Sequence, residues 1–298
     1  MKSPVLIFIC CSFVAFCKAQ VPTDLERQGL HGHIKAVTEY NYKPVDMSNL
    51  LNVSTSRITS KYDEQGHKVR EVNYSPDGTI NARNTYKYNE DGRLQEERNY
   101  DGDGKYTSAY LYKYDRKGNE VLRKFYAPDG MVYMRTSSDY DGQGNLVLEE
   151  SHDNHGDLAG RARWKYDTTG NPIEETVFDA DDNRTRKTTY RYDANGNLTG
   201  VWNTVYGLTL RTAYKYDATG RKTEETSYNA ERVPDTRITY KYDDKGNETE
   251  QSYFSADGKL QKTIFYRNEY DRQGNLISKV QVNNARPIVI MKKMIAYY

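Results

Sequence analysis

Few side chains in this sequence are suited to chemistry. His152 and His155 flank Asp153, and imidazoles around a carboxylate can hold a metal. His152 stands where Tyr126 stands 26 residues earlier, and His155 falls in a turn, so the trio reads as a turn variant. His31 and His33 alternate along a strand with no third ligand beside them. Asn99, Asp101, Asp103 and Gly104 open like a calcium loop, but the twelfth position is Tyr110 where an EF-hand needs Glu. Asp179–Asn183 reads the same way. There is no Gly-x-Ser-x-Gly, phosphate loop or His-Glu-x-x-His. We therefore expect no catalytic, metal or cofactor-binding residue. Trp164 and Trp202, the only two tryptophans, replace tyrosines on the aromatic face of the repeat. They are the ligand-binding candidates, as rings that could stack on a sugar or anchor a partner, beside a packing role.

The elements that carry these residues are set by a repeat. Tyr-Asp-x-x-Gly variants recur nine times, their second tyrosines at Tyr62, Tyr88, Tyr114, Tyr140, Tyr166, Tyr192, Tyr216, Tyr242 and Tyr270. The steps are 26 residues except for 24 after Tyr192 and 28 after Tyr242. Such a period marks a repeat architecture. Each unit holds two turns and two strands. Asp63-Glu64-Gln65-Gly66 and Ser75-Pro76-Asp77-Gly78 have the residues of type I turns that end in a left-handed glycine. Three-residue hairpin loops then place Tyr74 opposite Ile80 and Tyr88 opposite Leu94.

That register predicts one aromatic face, with Tyr74, Ile80, Ala82, Tyr86, Tyr88, Leu94 and Tyr100, and one charged face. The charged face collects Lys87, Lys113, Lys165, Arg191, Lys215 and Lys241 with Glu71, Glu97, Glu149, Glu175 and Glu225. The odd steps differ from 26 by two, which preserves the faces, whereas one residue would invert them. The pattern slips two residues for every two strands, so the sheet should coil. The expected fold is all-β: a meandering antiparallel sheet of about 18 strands, from nine repeats, in a curled, barrel-like or spiral wall.

The ends and the composition give the address. Residues 1–19, with Lys2, the apolar run Val5–Phe16 and Ala19, read as a secretory signal peptide with Gln20 first in the mature chain. The run is too short to span a bilayer. All three cysteines, Cys10, Cys11 and Cys17, lie within residues 1–19, so the mature chain is expected to have no disulfide or thiol chemistry. Losing Lys2 and Lys18 takes the net charge from +1 to −1, and no basic block suits nucleic acid. Residues 20–52 read as an N-terminal capping strand and a loop over Lys43–Leu51, 53–282 as the array, and 283–298 as a C-terminal capping segment.

The repeats resemble the YD repeats of the Rhs and teneurin families, on segments such as Tyr192-Asp193-Ala194-Asn195-Gly196-Asn197-Leu198 and Tyr270-Asp271-Arg272-Gln273-Gly274-Asn275-Leu276. The resemblance covers roughly residues 60–280 and implies a spiralling β wall. The expectation is a short secreted form of this type, without the family's Asp-Pro-rich self-cleaving segment or toxin. The stretch Gly32–Glu39 resembles the opening of short secreted Gram-negative proteins. The expected function is an exported binding or structural module, in the periplasm, at the cell surface or outside, for an envelope glycan or protein. The alternatives are a hydrolase with a rim site and an outer-membrane β-barrel.

Overall fold

A computed structural model describes residues 21–46 and 51–298. The expected signal peptide, with Gln20, lies outside the described residues. The wall is all-β, apart from the short helix Asp24–Arg27. Eighteen strands from Leu51–Tyr62 to Leu276–Asn283 meander antiparallel, each paired with its neighbours in sequence. One strand on either side brings the sheet to 20 strands, and these two, Ile34–Asp46 and Arg286–Tyr297, pair with each other from Ile34↔Tyr297 to Tyr42↔Ile290. The sheet is thereby closed into a barrel. Lys43–Asp46, expected as loop, continues the first strand, because Lys43 and Pro44 find partners in Val53 and Asn52.

The hairpin register is as the turn chemistry predicts, with Tyr74↔Ile80 and Tyr88↔Leu94. Each Asp of the motif closes its turn: Asp115 Oδ1 accepts the N–H groups of Lys117 and Asn119 at 2.8 and 2.9 Å. Gly118 takes φ +89°, where a side chain would be strained. The 24-residue unit exchanges its longer turn for the two-residue turn Tyr206-Gly207, both with positive φ. The 28-residue unit lengthens the strand Leu260–Tyr270.

The faces differ from the expectation in one respect. Lys87 pairs with Glu96 while Tyr88 pairs with Leu94, so one residue of the second strand is extra. This β-bulge recurs at nearly every hairpin and inverts the alternation beyond it. Glu97 therefore lies opposite Tyr86, and Glu175 opposite Trp164, on the tyrosine face. Tyr74 and Tyr100 lie opposite Arg57 and Arg83, on the lysine face. The lysines pair with the glutamates one position earlier: Lys165–Glu174 at 3.0 Å, Lys215–Glu224 at 2.7 Å and Lys241–Glu250 at 2.9 Å.

The tyrosine face is the enclosed one. Glu149 and Glu175 are 9 % and 3 % exposed, whereas the Lys241 side chain is 69 % exposed. The inner face is thus tyrosine and glutamate, and the ion-pair ladder is outside. The predicted slip also holds: straight across from Tyr86 lie Glu97 and then Tyr110, two residues short of the repeat equivalent Tyr112. A shear that keeps pace with strand number tilts strands by roughly 36°. Barrels of roughly 16–18 strands already leave an aqueous lumen.

The motif's second tyrosine has a polar task. Pairing between the strands Leu94–Asp101 and Tyr106–Tyr114 runs only as far as Glu96↔Leu111, so the Leu94 carbonyl lies past the end of that ladder. The Tyr114 hydroxyl donates to it at 2.7 Å. Tyr88, Tyr140, Tyr166, Tyr192, Tyr216 and Tyr242 do the same to Lys68, Glu120, Leu146, Pro172, Leu198 and Lys222, at 2.6–2.9 Å. In the lengthened unit Asn268 Nδ2 takes over, donating to the Glu248 carbonyl at 3.1 Å. Tyr140→Phe leaves the Glu120 carbonyl without its donor and should cost about 1–3 kcal/mol. Tyr270→Phe should cost less, since Asn268 keeps the equivalent carbonyl satisfied. Urea unfolding of the two variants reads the difference.

The seam is closed by the segment before the first strand. Leu25, Leu30, Ile34, Val37 and Tyr62 form a small apolar cluster there, with Ile295 and Tyr297 against it. Asn275, 1 % exposed, accepts from the His31 N–H at 2.6 Å and donates to the His31 carbonyl at 2.9 Å, tying the last motif to the N-terminal segment. Asn197, its equivalent, bonds only within its own turn, to Asp193. Asn275→Ala should therefore destabilise by about 2–3 kcal/mol, and Asn197→Ala by about 1 kcal/mol or less, in the same unfolding assay.

Candidate functional site

Two places gather functional groups beyond what the repeat requires. The first is an arc of the inner face. The bulges that invert the alternation bring Glu97, Glu149 and Glu175 there, and Glu120, opposite Tyr114 ahead of its bulge, joins them. Arg123 lies among them, with Nε 3.6 Å from Glu120 and an Nη 3.1 Å from Glu149. Arg186 holds Glu175 at 3.0 Å. Trp164 is buried opposite Glu175, and Ala162 opposite Glu149.

Burial pushes the carboxyls of Glu97, Glu120 and Glu149 up from their ordinary value, against the opposing pull of Lys68 on the first and Arg123 on the other two. Burial likewise raises the Tyr140 hydroxyl to about 12, so it stays a donor at neutral pH. Further round, Lys222 lies 2.7 Å from Glu225 and 4.6 Å from the Tyr240 ring, and Lys68–Glu71–Tyr86 repeats the arrangement. These groups can bind hydrogen-bonding and cationic chemistry, and each is already tied to a neighbour.

The second place is on the outer face. Trp202 lies opposite Thr189 and Arg211. The Arg191 and Arg211 guanidinium carbons stand 4.6 and 5.2 Å from its ring centroid. A shallow cleft of about 430 Å³ opens beside them. The two tryptophans therefore sit on opposite faces of the wall, and the expectation that both line one aromatic face is corrected. The bulge between Arg191 and Tyr192 moves Trp202 to the outside.

The other sequence candidates are placed as follows. His152 lies in the ladder between Arg135 and Leu158, and the His155 N–H donates to Asp153 Oδ1 at 2.9 Å inside a turn. His31 belongs to the seam, and the His33 ring is 5.5 Å from that of Tyr298. Asp101 Oδ1 accepts from Asp103 and Lys105 like any other turn aspartate. In the Asp179 turn, Asp182 takes the glycine position at φ +67°. Among the described residues no three His, Cys, Asp or Glu side chains are grouped to hold a metal ion. Among the same residues no helix is long and apolar enough to cross a membrane. Sequence reasoning missed the Arg191–Arg211 pair. Its signal was present: Lys87, Lys165, Lys215 and Lys241 each have Glu nine residues on, whereas Arg191 has Gly200.

No protein-family model matches this chain, and no curated protein matches it. Among solved structures it is similar to the TcdB2-TccC3-TEV chain at 14% identity, over 80% of this chain and 16% of that one, with a TM-score of 0.40. It is similar to a porin-like protein from Bacteroides uniformis ATCC 8492 at 10% identity, over 92% of this chain and 99% of that one, with a TM-score of 0.38. A porin-like protein from Bacteroides vulgatus ATCC 8482 is 10% identical, over 89% of this chain and 99% of that one, with a TM-score of 0.29. This chain spans less than a fifth of the TcdB2-TccC3-TEV chain. These similarities place the chain in no family.

The inner glutamates and the turn aspartates titrate in opposite senses. Glu97, Glu120 and Glu149 bind protons more readily folded than unfolded, so stability should rise as pH is lowered from about 7 through their raised values to the ordinary 4.5. Hydrogen bonds hold Asp141, Asp167 and Asp193 below the ordinary 3.8, Asp167 at about 2, chiefly through the side chains of Asn145, Thr169 and Asn197. Their stabilisation is present above 3.8 and is lost as pH falls through the lowered values. Melting temperature against pH should therefore peak on the mildly acidic side. Glu97→Gln, Glu120→Gln and Glu149→Gln together should flatten the rise between neutral and mildly acidic pH.

Proposed function

We propose that this chain is an exported, non-catalytic binding and structural module, a short YD-type barrel whose ligand is an envelope glycan or protein. One observation carries the reading: the ionisable groups recur unit by unit and are largely engaged with neighbours. Turn aspartates accept backbone N–H groups, outer lysines meet outer glutamates, and the inner glutamates lie against Arg123, Arg186, Lys68 or Lys222. Catalysis draws on a place where a few groups differ from their surroundings, with a nucleophile or base in reach of one substrate atom. A repetitive wall suits extended ligands, because weak contacts add along it.

The outer-membrane alternative is disfavoured by the outer ladder. Lys165, Lys215 and Lys241, with side chains 69–71 % exposed, stand where a lipid-facing barrel carries an apolar band. A hydrolase site at the rim is disfavoured because the rims are turns built from the same Asp-x-x-Gly pattern. The reading is tested on the chain from Gln20 onward, its start checked by intact mass. The protein is screened on a glycan array and in pull-downs from envelope extract, beside a broad hydrolase panel. Saturable binding without turnover is expected. Turnover abolished by changing one carboxylate would overturn the reading.

A further inference from the structure

The outer ladder has a gap with a particular filling. Where Lys165 faces Glu174 and Lys215 faces Glu224, Arg191 faces Gly200. Lys113 and Asp139 also lack a glutamate, since they face Leu122 and Leu148. Only the Gly200 gap is filled by an indole. Trp202 lies over Gly200, where a Cβ would come within 2.7 Å of its ring, so the glycine makes room for the ring against the strand. Arg191, from the strand Arg184–Tyr192, and Arg211, from the strand Leu208–Tyr216, both stand over that ring. Arg211 also lies 4.6 Å from the Tyr228 ring.

Among the described residues neither arginine has a carboxylate partner, their contacts being the aromatic rings, and the buried Arg211 Nε has no hydrogen-bond partner. Stacking on an aromatic ring orients a guanidinium without neutralising it, so its N–H fork stays available for an anion. The adjoining cleft is lined by Lys187, Thr189, Arg191 and Trp202, with no acid among its lining residues. Lys187 is held 2.9 Å from Glu174, so among the described residues around this ring Arg191 and Arg211 are the cations without an ion pair.

We infer that the cleft lined by Arg191 and Trp202, with Arg211 over the same indole beside it, binds the anionic group of an acidic saccharide, with the guanidiniums on the carboxylate or sulfate and the threonine hydroxyls and indole edge beside the sugar. This deepens the binding-module reading and rests on it. A saccharide fits better than a simple anion, because the cleft is several times the volume of one small ion and carries hydroxyl and aromatic contacts beside the charge.

The test uses the chain from Gln20 with Trp164→Phe, so that Trp202 is the sole fluorescent indole. It is titrated with an oligogalacturonate, a heparin oligosaccharide, a neutral oligosaccharide of equal length, and inorganic phosphate. One or both acidic saccharides should quench Trp202 saturably and bind more weakly as salt rises. The carboxylate and sulfate arms tell which anion is preferred. Arg191→Gln with Arg211→Gln should weaken binding at least about tenfold, the loss of one to two charge-assisted contacts. Lys215→Gln, in the intact ladder, should leave affinity unchanged, and melting curves confirm that each variant folds. Equal binding of the neutral saccharide, or of phosphate alone, would overturn the inference. So would acidic binding that survives the double substitution. Either result leaves the module reading standing, which fails instead on turnover in the hydrolase panel.

Discussion

An extra residue at nearly every hairpin bends the strand, inverts its faces and leaves a carbonyl beyond the reach of the next ladder. The neighbouring tyrosine hydroxyl makes good that carbonyl, at Leu94, Glu120, Leu146 and their equivalents. Without the donor, each bulge would bury an unpaired acceptor, at a cost of about 1–3 kcal/mol repeated around the barrel. Without the bulge, Glu97, Glu149 and Glu175 would point outward and the inner face would lose those three carboxylates. Shape and chemistry of the wall thus depend on one interaction, a phenol on a displaced carbonyl. The lengthened unit supports this: its extra residues shift Tyr270 out of place, and Asn268 supplies the donor at the equivalent carbonyl.

Closure follows from the same regularity and needs one further device. A steady slip of two residues per two strands tilts the strands and curls the sheet, but the two terminal strands must still find each other. Ile34–Asp46 and Arg286–Tyr297 do so over a long register, and the segment before them bridges the first and last motifs. Asp24 accepts from the Lys68 N–H and shares the Tyr88 hydroxyl proton with the Lys68 carbonyl on one side of the seam, and His31 meets Asn275 on the other. Leu25 and Leu30 supply the apolar cluster there that a single-layer wall otherwise lacks. A closed sheet also has no free edge for another chain to extend.

The period, the turns and the hairpin register were legible in the sequence because each is written locally. Asp, Pro and Gly sit where turn geometry demands them, and Tyr88↔Leu94 follows from counting across the loop. The strand number was legible too, since nine units give the eighteen strands that two flanking ones complete. The faces beyond the bulge were not. Nothing in Leu94-Gln95-Glu96 marks one residue as extra, and periodicity alone places Glu97 with the lysines. Trp202 was misplaced for the same reason. The seam was hidden because His31 and Asn275 are 244 residues apart and neither looks unusual in its own segment.

The distribution of satisfied and unsatisfied charge separates wall from site. In four of the nine units an outer lysine and a glutamate nine residues on cancel each other, and a surface pair of this kind contributes little either to stability or to recognition. Where Glu is replaced by Leu122 or Leu148, the charge is simply thinned. At Gly200 the replacement admits a ring that fixes two arginines without neutralising them, at a small cost in local pairing and with a gain in donor orientation. A repeat protein varies its units freely at exposed positions, so a single unit proves nothing by being different. Here three changes in one unit, the lost carboxylate, the glycine and the indole, act on the same pair of guanidiniums. Their convergence gives this place on the wall a chemistry that the other units do not share.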